Sequence, residues 1–80
     1  MSDTLAVITD ALADIAPDVT LAELDPAGDL LQQGDLDSMD FLNLLTALEE
    51  RLGVTVPERD YPLVRTLDGL VRYLDAARAG

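Results

Sequence analysis

The sequence predicts an all-α fold, a small bundle of three substantial helices and one short one. Three observations carry that expectation. Apolar residues recur at spacings of three and four in three separate stretches. Each stretch is bounded by a capping residue, a glycine or a proline. The one β-like run, "VTV" at 54–56, is too short to matter. At 80 residues the chain reads as a single domain over 1–80, near the lower end of what folds unaided.

The first helix is expected from Asp3 to Ala16. Leu5, Ile8, Leu12 and Ile15 share one face, Ser2 or Asp3 serves as its N-cap, and Pro17 ends it. From Pro17 to Asp37 runs a long connection containing Pro26, Gly28 and Gly34. Twenty structureless residues sit badly in a compact domain. Val19, Leu21, Leu24, Leu30, Leu31 and Leu36 punctuate the stretch, so it is expected to pack down as an ordered loop with a helical turn or two.

The next helix is expected to begin at Asp37 or Ser38 and run to Leu52, with Gly53 at its C-terminus. Asp37 at the N-cap puts Asp40 three residues on, as in a capping box, and spaces Leu36 and Phe41 as a hydrophobic staple. Phe41, Leu44, Leu45, Leu48 and Leu52 make the buried stripe, leaving Met39, Leu42, Asn43, Thr46, Glu49 and Glu50 on or beside the outward flank. In "VTVPERDYPLV", Pro57 suits a first helical turn and Pro62 interrupts it, so one ragged turn is expected. Thr66 then caps a last helix to about Ala77. Leu67, Leu70, Val71 and Leu74 face inward, and Asp68 pairs with Arg72.

Charge is the strongest global feature. The net charge is −11, and residues 1–50 hold twelve acids and no basic residue, whereas residues 51–80 hold four acids and five arginines. Such a body repels nucleic acid and anionic membranes. Its natural partners are proteins with basic patches. No apolar run approaches the ~20 residues of a membrane span, and "MSDTLAVITD" has no basic leader segment. The expectation is therefore a free-standing cytoplasmic protein.

Histidine, cysteine and lysine are absent. That removes the Ser-His pair, the catalytic thiol, the Schiff-base lysine, and thiolate or imidazole metal sites. No catalytic and no metal-ligating residue is assigned. A calcium loop starting at Asp35 fails as well, because Met39, Asp40 and Thr46 stand where that loop needs an oxygen ligand, glycine and glutamate.

What remains is "GDLDSMDFLNLL" at 34–45, a serine set between aspartates at a helix start. If Asp37 is the cap, Ser38 is the first helical residue, its hydroxyl free beside unpaired N–H groups that suit a phosphate ester. If Ser38 is itself the cap, its hydroxyl is already occupied. Local sequence leaves both open. Met39 and Leu42 add an apolar strip edged by acids, which reads either as a docking surface or as the margin of a wide core stripe.

At this point "LDSMDFLNLLTALEERLGVTVP" resembles the Asp-Ser-Leu motif and recognition helix of the acyl carrier protein family, and "RTLDGLVRYL" is similar to that family's final helix. The resemblance implies a four-helix bundle of acyl-carrier-protein type with a long ordered first loop and a short third helix. It implies that Ser38, next to Asp37, takes 4′-phosphopantetheine from coenzyme A through a phosphopantetheinyl transferase. The protein would then be a monomer and a carrier, not an enzyme, handing acyl thioesters to acyl-activating, acyltransferase or synthase enzymes of fatty-acid, polyketide or related biosynthesis. The matching recognition positions are Asp35, Met39, Asp40, Leu42, Asn43, Thr46, Glu49 and Glu50.

Four departures accompany the match. Methionine follows the serine, Asn43 and Arg51 replace frequent acids, the glycine before the Asp-Ser pair is displaced by one residue, and "YPLV" precedes the last helix. They give a specialised pathway at least the weight of fatty-acid synthesis. The alternatives are an aminoacyl or peptidyl carrier and an unmodified helical adaptor.

Overall fold

The structure, a computed structural model, describes residues 3–79. Its elements are α1 (Asp3–Ile15), a 3₁₀ turn (Leu21–Glu23), α2 (Leu30–Gly34), α3 (Ser38–Leu52), a 3₁₀ helix (Glu58–Val64) and α4 (Leu67–Ala79). The all-α expectation holds, and the described residues contain no strand beyond one isolated bridge between Asp29 and Thr66. Helix α1 packs against both α3 and α4, and the 3₁₀ helix packs against α4.

Burial follows the apolar spacing. Ile8, Leu12, Leu44, Leu45, Leu48, Leu70 and Leu74 form the centre of the core. Leu52 and Val71, expected on the inner stripes, are half-buried at its edge. The buried Thr4 hydroxyl donates to Asp75 and accepts from Arg78 Nη1 at 2.9 Å, which ties the first turn of α1 to the last turns of α4. Of the two candidate caps for α1, Asp3 lies within the helix, and Ser2 lies outside the described residues.

The long first connection is ordered because both its ends and its middle find partners. Gln33 closes it locally: its Oε1 accepts from Asp25 N–H at 2.7 Å, and its Nε2 donates to the Asp25 carbonyl at 3.0 Å. The segment is then sewn to the distant start of α4, with Leu30 N–H donating to the Arg65 carbonyl at 2.7 Å and Asp68 N–H to the Pro26 carbonyl at 3.0 Å. These bonds satisfy backbone groups that a buried loop would otherwise strand.

Two local expectations need correction. The 58–64 stretch is a seven-residue 3₁₀ helix containing Pro62, not one ragged turn, and Pro57 is its N-cap rather than part of its first turn. Packing on α4 sustains it: Gly69 lets the Leu63 carbonyl come so close that a Cβ there would lie 2.2 Å from that oxygen. Among the described residues the ion pairs are Arg51–Asp14 at 2.8 Å and Arg65–Asp29 at 3.0 Å, so Asp68 and Arg72 do not pair. Thr66 does cap α4, its Oγ1 accepting from Gly69 N–H at 3.0 Å.

Candidate functional site

The site begins with a sharp reversal. Helix α2 ends at Asp35 in the left-handed conformation, φ 54°, and the N–H groups of Asp35 and Leu36 both turn back to the Leu31 carbonyl. Aspartate is among the few side chains that visit this region at modest cost. The turn lets α3 start three residues later, at Ser38.

At that start Asp37 is the N-cap. Its Oδ1 accepts from Asp40 N–H at 2.8 Å, and Asp40 Oδ2 accepts from Asp37 N–H at 3.4 Å, completing a capping box. Gly53, in the left-handed conformation at φ 67°, closes the far end. The ambiguity over the serine is thereby resolved: Ser38 is the first helical residue, exposed, and its Oγ has no hydrogen-bond partner among the described residues. The hydroxyl stands at the positive end of a 15-residue helix, with capping already accomplished by its neighbour.

The predicted outward flank is mostly where expected. Met39 is 63% exposed and Leu42 39%, so Leu42 is not simply core. Asn43, Thr46 and Glu50 are exposed, as are Asp35 and Asp37, while Asp40 is half-buried. Glu49 departs from this group. It is half-buried, and its Oε2 accepts from Val56 N–H at 2.7 Å, so it fastens the following loop rather than facing outward.

Beside Ser38 lies a cleft of about 360 Å³ whose lining includes Leu31, Phe41, Leu42, Glu58, Tyr61 and Arg65. Phe41 and Tyr61 meet edge to face, ring centroids 5.7 Å apart at 89°. The Arg65 guanidinium lies 5.8 Å from the Phe41 ring centre and donates from Nη2 to Asp29 Oδ2 at 3.0 Å. Sequence reasoning placed none of Leu31, Glu58, Tyr61 and Arg65 at the site. The hint available was "YPLVR" itself, an aromatic and a cation in a segment that already departs from the family's pattern. A second cleft of about 400 Å³, lined partly by Asp18, Glu23 and Asp35, does not reach Ser38.

Chemically, the arrangement offers an accessible primary alcohol whose Oγ is hydrogen-bonded to no base among the described residues, which suits esterification by another protein. Among the described residues, no group of three or more acidic side chains is disposed to hold a metal ion. No helix among the described residues is long and apolar enough to cross a membrane.

Comparison with known proteins agrees with this geometry. A family profile described as "Phosphopantetheine attachment site" matches residues 6–74. The chain belongs to the acyl carrier protein family. An acyl carrier protein of Helicobacter acinonychis (strain Sheeba) is 34% identical over 73 residues, covering 91% of this chain and 87% of that protein. The acyl carrier protein of Helicobacter pylori (strain G27) is 29% identical over the same shares. That of Helicobacter hepaticus is 28% identical over 54 residues, 68% of this chain and 71% of the relative. Domains of this family carry 4′-phosphopantetheine covalently. The residues here fit that group: an unengaged, exposed serine hydroxyl, a helix N-terminus behind it and a partly apolar cleft at its side.

Proposed function

We propose that Ser38 is the attachment residue and that residues 1–80 act as one carrier domain. The observation that carries this reading is the division of labour at the start of α3: Asp37 caps, and Ser38 Oγ is exposed and unbonded. In the modification Ser38 Oγ takes the phosphopantetheine phosphorus of coenzyme A. A new O–P bond forms, the pyrophosphate bond breaks, adenosine 3′,5′-bisphosphate leaves, and a base of the transferase receives the hydroxyl proton.

When bound, the group supplies a terminal thiol on which an acyl unit is held as a reactive thioester. The chain's own residues present it. Asp37 and Asp40 hold the first turn of α3, and the αL turn at Asp35 sets that turn against α2. Tethering raises the effective concentration of the load at whichever enzyme docks. Met39 and Leu42 supply apolar contact, and Asp35, Asn43, Thr46 and Glu50 the polar rim for partners with basic patches. The reaction chemistry then belongs to those partners, in the cytoplasm, in a fatty-acid or more specialised biosynthetic pathway.

Intact mass before and after incubation with coenzyme A and a broad-specificity phosphopantetheinyl transferase tests the assignment. A gain of one phosphopantetheine, lost in Ser38→Ala, is expected. No gain with an active transferase would leave an unmodified helical adaptor as the better reading.

A further inference from the structure

Among the described residues the large apolar side chains that stand exposed are Leu5, Met39, Leu42 and Leu63. Docking on α3 uses Met39 and Leu42 and leaves the other two unexplained. Leu5 is 43% exposed and Leu63 59%, and they flank two adjoining clefts on α4. The first, of about 390 Å³, is lined by Leu5, Pro26, Leu67 and Val71 together with Asp68 and Arg72. The second, of about 340 Å³, is lined by Leu63, Gly69 and Tyr73 and meets the first at Arg72. No described residue of α3 lines either cleft, and neither shares a residue with the cleft beside Ser38.

The free charges of this face are one of each sign. Asp68 and Arg72 stand one turn apart on α4, both exposed, and neither side chain has an ion pair or hydrogen bond among the described residues. Nearby charges are engaged: Asp75 and Arg78 with Thr4, Asp60 with Tyr73, and Asp25 Oδ1 with Ala27 N–H. Beyond these, Asp3 precedes Leu5 by two residues and Arg59 lies close enough to act on the Tyr73 phenol, again one charge of each sign. A basic partner is drawn instead to the acids of residues 1–50, and an acidic one is repelled by a body of net charge −11. A balanced face suits another balanced face, and this one complements itself. With two α4 helices antiparallel about a two-fold axis between residues 68 and 72, Asp68 of each copy meets Arg72 of the other.

We propose that the α4 face, from Leu5 across Arg72 to Leu63, is an interface for a second copy of this chain. The pairing covers both exposed leucines and keeps α3, with its acids, out of the contact. A face one helix wide belongs with small, transient interfaces, so the chain is monomeric when dilute and pairs when concentrated. Both Ser38 clefts stay open to partners, and the pairing does not depend on modification of Ser38.

Sedimentation equilibrium of the unmodified protein from ~10 μM to ~1 mM tests it, with an average mass expected to climb from one chain towards two. Asp68→Arg or Arg72→Asp alone sets like charges across the axis and should weaken association about tenfold. An equimolar mixture of the two variants restores opposite charges at both contacts and should associate at least as tightly as the parent. Circular dichroism melting curves report whether each variant is folded. If one is not, amide shifts of the parent on dilution still decide, and they are expected at Leu5, Leu63 and residues 67–73. A mass of one chain at every concentration would overturn the interface, as would dilution shifts confined to residues 38–50. A mixture no tighter than either variant alone would overturn the pairing of Asp68 with Arg72.

Discussion

Ser38 and Asp37 are neighbours, both polar and exposed, yet the structure assigns them opposite costs when truncated. Asp37 Oδ1 accepts from Asp40 N–H at 2.8 Å, whereas the return bond from Asp37 N–H is long at 3.4 Å. Asp37→Ala therefore removes one good charge-assisted cap and a favourable charge at the positive end of α3. An N-cap is worth about 1 kcal/mol. The helix-end charge adds ~0.3 kcal/mol at so exposed a position, for a loss of about 1–1.5 kcal/mol. In a domain of this size that lowers the melting temperature by roughly 4–10 °C. Ser38→Ala removes a hydroxyl that bonds to nothing among the described residues, and alanine is the better helix former by up to ~0.5 kcal/mol. Its stability should stay within ~0.5 kcal/mol of the parent while modification is lost entirely. Urea denaturation of the unmodified proteins, followed by far-UV circular dichroism, separates the two. A Ser38→Ala loss of 1–2 kcal/mol with Asp37→Ala near neutral would refute the division of labour and make the serine the cap.

Gly69→Ala forces a Cβ to 2.2 Å from the Leu63 carbonyl, a backbone atom that cannot swing aside. A loss of about 1–3 kcal/mol is expected in the same denaturation assay. Asp35→Gly relieves ~1 kcal/mol of left-handed backbone at φ 54° but frees the unfolded chain, so a net gain of about 0.5 kcal/mol is expected. An unchanged or lower urea midpoint would count against the strain. If the acidic body steers the transferase, modification of Ser38 should slow markedly as salt shortens the screening length from ~10 Å at 0.1 M to ~3 Å at 1 M, and a salt-independent rate would remove steering. Tyr73 donates to Asp60 Oδ2 at 2.6 Å, and that bond, followed by desolvation and the Asp60 charge, raises its pKa above the usual 10.0. Stability from this group is therefore complete below pH 10 and lost as pH rises through the raised value. Tyr73→Phe should show a flatter stability curve above pH 10 in alkaline titrations.

Helix α3 was legible in the sequence to within one residue at its start and to the residue at its end, because its ends are fixed by local chemistry. Asp37 and Asp40 are three residues apart, and Gly53 stands one past the last turn. Local sequence could also narrow Ser38 to two roles, but choosing between them needed the direction in which the Asp37 carboxylate points. What sequence reasoning missed is the product of long-range pairing. Glu49 belonged by spacing to the outward flank, and its bond to Val56 N–H drew it in. Arg65 looked like one of five arginines until Asp29, 36 residues away, fixed it over Phe41. The proline-rich 58–64 segment was misjudged for a related reason. Pro62 costs a local hydrogen bond, but the gap at Gly69 lets the segment lean on α4, and packing outweighs that loss.

The acids around Ser38 divide by what already engages them. Asp37 and Asp40 are each occupied on one oxygen by the capping box, and Asp29, lower in the site, caps α2 and binds Arg65. Their presence is explained by the fold alone, and removing them would confound docking with stability. Asp35 and Glu50 are different. Both are exposed, neither carboxylate has a hydrogen-bond partner among the described residues, and Asp35 stands where glycine would be easier. Exposed pairs such as Arg51–Asp14 contribute only ~0–1 kcal/mol, so folding alone does not account for a net charge of −11, which works against compaction. The carboxylates that can face a basic partner without loosening α3 are thus Asp35 and Glu50, and recognition is best sought by charge reversal there rather than at the more conspicuous aspartates beside the serine.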